Sequence, residues 1–407
     1  MQRAQYATIA CRDRKSNDGD VGAVTAKDVL QLRRAPGAGR GVRPGRGFSI
    51  GLQPGFHGSM RPSFHRKETM SRAARTSSII FIAGLLALGP ACGGAVASPA
   101  VQEQALDFKA IKVTRLTLQD KEGPPVRYYL SKPAQKAPLV LHIQGSGCVP
   151  PFMKLDTPEK FSTIYSWLPM AQAGRYAVMA VDKPYQSDEP QRGPYGAALG
   201  CAGSFNEHYS YDAWLATLKK AVRHALTRPE VDPTRVLVIG VSEGGLMAAG
   251  LARALPEVTH VVVLGSSGPT QLYDFAVSIY ASQDSDEVKL LRLRELDATF
   301  EAISADPKST SKYAWGHTYL RWSSFFAQST LDNLAHAKAR VYLASGMQDK
   351  SSPILSTEAM YAQLRTQGRD VRFSRVPMAG HSLVPDGRPM SEGQKEYDAF
   401  MAWFERP

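Results

Sequence analysis

The chain has 407 residues, 43% of them hydrophobic, enough for a large domain with a sizeable core. Its net charge of +12 is lopsided: residues 1–69 hold 13 Lys and Arg against 5 Asp and Glu, and the chain from Ser98 onward keeps only about +2. That near-neutral remainder gives no compositional case for a nucleic-acid partner, and without an H-E-x-x-H, a C-x-x-C, a phosphate loop or a dinucleotide fingerprint nothing calls for a metal or cofactor.

In chain order, residues 1–69 are rich in Gly, Arg, Pro and Ser, as in RRAPGAGRGVRPGRG, and lack apolar periodicity. A disordered basic extension is expected there. At Met70 a different pattern begins: Arg72 and Arg75, an apolar run from Ile79 to Leu88, then Ala95-Val96-Ala97. These are the three regions of a signal peptide over 70–97, with cleavage after Ala97. The apolar run is short of the about 20 residues of a membrane span, so no stable span is expected after cleavage. Such a leader begins a protein, which makes Met70 the expected start and residues 1–69 an over-extension of the reading frame. The expected destination is the bacterial periplasm or the medium. A lipoprotein anchored at Cys92 is the alternative, but Gly89 and Pro90 fit that pattern poorly. Cys148 and Cys201 are then an even pair in an exported chain, and a disulfide between them is expected, with two buried thiols as the other reading.

From about Val113 the segments VRYYLSKP, APLVLHIQG, YAVMAVDKP, RVLVIGVS, VTHVVVLGSS, ARVYLASG and VRFSRVP are mostly short apolar runs bounded by turn residues. Continuous runs of this kind suit strands buried on both faces. Helical patterns alternate with them: YDAWLATLKKAVRHAL, SEGGLMAAGLARAL, STEAMYAQLRTQG with a Gly at its end, and SEGQKEYDAFMAWFE with a weak capping box. The alternation predicts an α/β domain over 98–407, a mainly parallel sheet with helices on both faces. About 70 residues separate VTHVVVLGSSGP from ARVYLASG, too many for a structureless loop. A small helical cap over about 270–335 is expected, with ordinary crossover helices and a long loop as the other arrangement. Its aromatics Trp315, Tyr319, Trp322, Phe325 and Phe326 suit a pocket wall or the cap's own core.

Between a predicted strand and a predicted helix stands Gly240-Val241-Ser242-Glu243-Gly244, a G-x-S-x-G. A chain reversing that tightly exposes the serine and needs glycines two residues to either side. A serine hydroxyl needs a base to take its proton, usually a histidine held by a carboxylate. Asp349, after the sixth strand, and His381, after the last, fall where both would reach the serine's edge of the sheet. Asp386 is the rival acid, while His142 and His260 lie inside strands and suit packing. For the oxyanion, the expected donors are the N–H of Glu243 and that of Ser146 in QGSGC, with Gly147 as the near alternative and a plain tight turn as the bland one. The Glu243 carboxylate itself is expected at the surface or rim.

These motifs, QGSGC, GVSEGG, GMQDKSSP and AGHSL in this order, resemble an α/β-hydrolase fold enzyme over Pro138–Pro407, most like secreted bacterial esterases and prolyl-oligopeptidase-like catalytic domains. The resemblance implies Ser242 as nucleophile, His381 as base and Asp349 as orienting acid, with HIQGSG departing from the usual His-Gly oxyanion pattern. It implies a serine hydrolase of small carboxylic esters or thioesters. A peptidase or amidase with the same triad, and a non-catalytic binding relative, are the alternatives.

Overall fold

Seven runs of Val, Leu, Ile, Met and Tyr pair into the body of a nine-stranded sheet in a computed structural model that describes residues 101–108, 111–119, 123–151, 170–171, 174–187 and 198–406. The expected basic extension, the leader and Cys92 lie outside the described residues. The strands are β1 (Val101–Phe108), β2 (Ile111–Leu118), β3 (Val126–Ser131), β4 (Ala137–Ile143), β5 (Ala177–Val181), β6 (Val231–Val241), β7 (His260–Leu264), β10 (Arg340–Gly346) and β11 (Val371–Val376). Their spatial order is β1-β2-β3-β5-β4-β6-β7-β10-β11. The first three strands and the β3–β5 pairing are antiparallel; every pairing from β5 through β4, β6, β7 and β10 to β11 is parallel.

Alternation along each parallel strand divides the core in two. Leu139, Leu141, Val236, Val238, Val261, Val263, Val341 and Leu343 face one side, against Trp214, Leu218 and Val222 of a helix over Tyr211–Ala225, Leu246 and Leu251 of a helix over Glu243–Ala254, and Met360 and Leu364 of a helix over Ile354–Thr366. Val140, Leu237, Ile239, Val262, Leu264 and Tyr342 face the other, against Phe400, Trp403 and Phe404 of the last helix, Gln394–Glu405. Helices therefore cover both faces of the central strands β4, β6, β7 and β10, which are apolar along most of their length because neither face meets water, whereas the edge strand β11 carries Arg372 and Arg375 and is partly exposed.

Two local differences from the sequence expectation, and one break between helices inside the stretch expected to be a helical cap, have physical reasons. Strands β1 and β2 were not expected; they mix charged and apolar residues, as strands at the antiparallel, partly exposed end of a sheet do, and so lack the continuous apolar signal. The capping box at Ser391 does not form: residues Met390–Gly393 make a 3-10 turn, and the helix begins after Gly393 with no side-chain cap. The aromatic stretch after His317 is two helices, because the Ser329 hydroxyl accepts the Asp332 N–H and starts a new one.

Between β7 and β10 the chain forms helices over Gln271–Tyr280, Asp286–Ala305, Tyr319–Phe326 and Thr330–His336, and a hairpin pairing β8 (Tyr313–Ala314) with β9 (His317–Thr318). In chain order the described helices are α1 (Gly203–His208), α2 (Tyr211–Ala225), α3 (Glu243–Ala254), α4 (Gln271–Tyr280), α5 (Asp286–Ala305), α6 (Tyr319–Phe326), α7 (Thr330–His336), α8 (Ile354–Thr366) and α9 (Gln394–Glu405). Ile303, Trp322 and Phe326 form a separate small core there with Leu272, Phe275 and Phe300. The aromatics divide their duty: Trp322 and Phe326 hold this core, while Phe325 packs into the main one, tilted against Tyr209 and edge-on to Tyr211.

Candidate active site

Ser242 stands between β6 and α3 with φ 56° and ψ −125°, a strained backbone that a non-glycine residue holds only when its surroundings enforce it. The enforcement is visible. A Cβ on Gly240 would run into the Gly244 carbonyl, and one on Gly244 would run into the Ile143 carbonyl. The Ser242 N–H donates to the Leu264 carbonyl at 2.9 Å. The turn therefore packs with no side chain between strand, helix and β4.

Asp349 and His381 meet at the same edge. Nδ1 of His381 lies 2.8 Å from Oδ2 of Asp349. The other carboxylate oxygen accepts the N–H groups of Ser351 at 2.8 Å and Ser352 at 3.0 Å, so the acid is held on both sides. A carboxylate oxygen accepts, so Nδ1 is the ring nitrogen placed to donate to Asp349 and Nε2 is the one that does not face it. The two loops are stitched together: Met347 N–H donates to the Val376 carbonyl and Gln348 N–H to that of Ala379, at 3.0 and 2.9 Å. Gly265, next in chain to the Leu264 that holds Ser242, touches both members; a Cβ there would stand 3.3 Å from Asp349 Oδ2 and 3.4 Å from His381 Nδ1. The rival acid, Asp386, is exposed and its N–H pairs with the Met378 carbonyl.

Ser146, Ser242 and Glu243 line one cavity of about 370 Å³. Beneath it lies a correction to the sequence reading. The Glu243 carboxylate is not at the rim: the residue is 2% exposed. Its Oε2 accepts from Arg321 Nε at 2.9 Å and from Arg321 Nη2, and its Oε1 from Tyr209 at 2.5 Å and from Lys183 Nζ at 3.3 Å. Burial alone would raise this carboxyl; Arg321 and then Lys183 outweigh it and hold it well below the usual carboxylate range. The carboxylate turns inward because two buried cations, from α6 and from the turn after β5, require an anion there.

Lys183 also reaches the Gly145–Gly147 loop. Its ammonium, wholly buried, donates to the Gly145 carbonyl at 2.7 Å and the Gly147 carbonyl at 2.8 Å. A trans peptide sets C=O and N–H on opposite sides, so with the Gly145 carbonyl on Lys183 the Ser146 N–H faces away from the ammonium. Gly145 itself packs on the serine; a Cβ there would stand 3.3 Å from Ser242 Cβ. Burial pulls the Lys183 ammonium down to about 8, against the opposing pull of Glu243.

The next residue in this loop, Cys148, is bonded to Cys201, 53 residues on. Closing a loop of that length restrains the unfolded chain by about 4 kcal/mol. Reduction is therefore expected to lower the melting temperature, and to lower turnover as the loop ahead of Cys148 loosens. Melting curves and ester hydrolysis with and without dithiothreitol check this; unchanged values in both would show the bridge to be idle.

Sequence reasoning missed Lys183, Arg321, His317 and Asp274. His317, grouped with the cap, is buried and lines the cavity. Lys183 follows an apolar strand directly, at the sheet edge where ligands gather, and that position was the available signal. His142 and His260 are packed residues: burial pulls them down to about 3 and about 4. Asp274 is also buried and lines the cavity, and burial pushes its carboxyl up to about 7 against the hydroxyls of Ser356 and Ser267. A folded-state value above that of the free side chain means stability is lost as pH rises from about 4 to about 7. Asp274→Asn is therefore expected to stabilise the fold at pH 8 by roughly 2–4 kcal/mol, with the gain shrinking towards pH 4. Melting temperatures across that range check it.

The alpha/beta hydrolase family pattern matches residues 139–392, well over half of the chain. The chain belongs to the alpha/beta hydrolase family. Its mostly parallel sheet covered by helices agrees with that membership. Among solved structures, the acetyl xylan esterase from Paenibacillus sp. R4 is similar in fold, with a TM-score of 0.50 at 18% identity over 75% of this chain and 88% of that one. Acetyl xylan esterase 1 from Thermoanaerobacterium gives 0.46 at 17% identity over 76% and 89%. The uncharacterized peptidase YuxL of Bacillus subtilis is 22% identical over 296 residues, 70% of this chain. The chain spans only 38% of the length of that relative. Among the described residues no group of three or more His, Cys, Asp and Glu could hold a metal, and no helix is long and apolar enough to cross a membrane.

Proposed function

We propose that this alpha/beta hydrolase is an exported serine hydrolase that cleaves carboxylic esters or thioesters through an acyl-enzyme on Ser242. The observation that carries this is the His381–Asp349 hydrogen bond at the carboxyl edge of the sheet, beside the strained turn that bears Ser242. Nε2 of His381 takes the hydroxyl proton as Ser242 Oγ attacks the acyl carbon, and Asp349 steadies the imidazolium. The N–H groups of Glu243 and Ser146 stabilise the oxyanion. His381 then gives its proton to the leaving alcohol or thiol; water, deprotonated by the same imidazole, releases the acid and restores Ser242. The leader pattern and the disulfide support export.

A fluorophosphonate that bonds Ser242 tests the reading, with the labelled peptide identified by mass spectrometry. Turnover of p-nitrophenyl acetate without turnover of aminoacyl anilides is the expected companion result. Anilide hydrolysis instead would favour a peptidase or amidase, and an unlabelled Ser242 with no turnover would favour a binding protein.

A further inference from the structure

The cavity beside Ser242 is not a plain apolar acyl pocket. One face of α4 turns Gln271, Asp274, Phe275 and Ser278 into it, at the i, i+3, i+4 and i+7 positions of a single helical stripe. Facing them are Trp315 and Trp322; the Phe275 and Trp315 rings stack at 4.8 Å, and Trp315 meets Trp322 edge-on at 5.4 Å. Asp274 is 7% exposed, and its Oδ1 has no hydrogen-bond partner. The Oε1 of Gln271 is a second buried acceptor without a partner. Among the described residues, Asp274 takes part in no ion pair. Of the cations that line the cavity, Arg321 pairs with Glu243 through Nε and Nη2, with its Nη1 buried and unpartnered, and Lys350 is exposed; neither forms an ion pair with Asp274.

A buried carboxylate with no cation, one helical turn from a second free acceptor and walled by aromatic faces, lacks one thing: a positive charge with N–H donors. An alkyl chain would leave both acceptors unmade, and a hydroxyl would bond one without neutralising the charge. An ammonium group satisfies the acceptors, compensates the charge and sits favourably on the aromatic faces. We propose that Asp274 is the recognition group of an ammonium-binding subsite, so that the enzyme acts on acyl groups bearing a primary amine. This rests on the reading of Ser242 as the nucleophile and narrows it to a substrate class. The cost to stability of keeping Asp274 buried is what a recognition residue shows and a packing residue does not.

The test compares ethyl esters matched in shape: 3-aminopropanoate against butanoate, and 6-aminohexanoate against heptanoate, followed by pH-stat at pH 8. In the wild type kcat/KM is expected to favour at least one aminated ester by about tenfold or more, and Asp274→Asn is expected to bring that ratio near unity. A wild-type ratio near unity for both pairs overturns the proposal, as does a preference that survives Asp274→Asn. An equal loss on both members of a pair also overturns it, assigning Asp274 to the reaction or to the fold. A second measurement does not need turnover: quenching of tryptophan fluorescence by n-butylammonium and by n-butanol in Ser242→Ala. Saturable quenching by the ammonium alone, weakened about tenfold by adding Asp274→Asn, is expected; equal quenching by both probes contradicts the subsite. Fluorophosphonate labelling separates the two failures. Labelling with no amine preference leaves the hydrolase standing and removes the subsite, whereas ammonium binding without labelling or turnover does the reverse.

Discussion

Ser242→Ala is expected to lower kcat on a good ester by roughly 10⁴–10⁶-fold while the protein melts at nearly the wild-type temperature. The two halves of this expectation come from different links. On the mechanism proposed above the rate falls because the attacking hydroxyl is gone, leaving the strained turn and the close approach of Gly145 with no nucleophile to present. The stability holds because the strain lies in the backbone at φ 56°, and alanine must adopt the same torsion with the same Cβ. The Ser242 side chain also makes no cap bond to α3 that alanine would lose. A full-length kinetic profile with a calorimetric scan of the same preparation reads both. Retained turnover would remove Ser242 from the chemistry; a large fall in melting temperature would make its role structural.

The main features of the fold were legible because its parallel strands are apolar on both faces. Leu139–Ile143, Val236–Val241 and His260–Leu264 read as nearly continuous hydrophobic runs, broken only by His142, Gly240 and His260, and helices between them leave few topologies. The candidate site positions were chosen for a related reason: a residue just past such a run lands at the carboxyl edge, and there Asp349 and His381 come within 2.8 Å of each other. What stayed hidden depends on partners far apart in the chain. Glu243 reads as a surface residue because carboxylates are exposed unless paired, and its partners Lys183 and Arg321 lie 60 and 78 residues away. Asp274 reads as an ordinary first-turn acid on α4, favoured there by the helix dipole, and its burial depends on distant neighbours, among them Ser356 of α8, 82 residues on. Spacing reports local structure and sheet edges; it does not report which polar groups end up facing each other.

The second large effect concerns Lys183. Lys183→Met is expected to lower kcat by roughly 10²–10³-fold with KM changed little, because the side chain acts on the transition state through the loop it holds. The ammonium fixes the Gly145 and Gly147 carbonyls and so the facing of the Ser146 N–H; the same ammonium pairs with the carboxylate of Glu243, whose own N–H begins α3 beside Ser242. One buried cation thus sets the angle between the two proposed oxyanion donors. Removing it also leaves two carbonyls and part of a carboxylate short of a donor, and breaking a buried pair this way costs about 3–5 kcal/mol. The loss is smaller than a simple sum of bonds because the wild-type ammonium is itself held in a dry site, its pKa pulled down to about 8. That depression supplies a readout that loosened packing would not move. A folded-state value of about 8 against 10.5 for a free lysine means the buried site surrenders its proton first as pH rises, so the wild type is expected to lose turnover above about pH 8 as the loop loses its charged donor. The methionine variant, slow throughout, is expected to lack that basic limb. If instead Lys183→Met melts early yet turns over within about threefold of the wild type with the same pH profile, the network serves the fold alone and the oxyanion loop is held by something else.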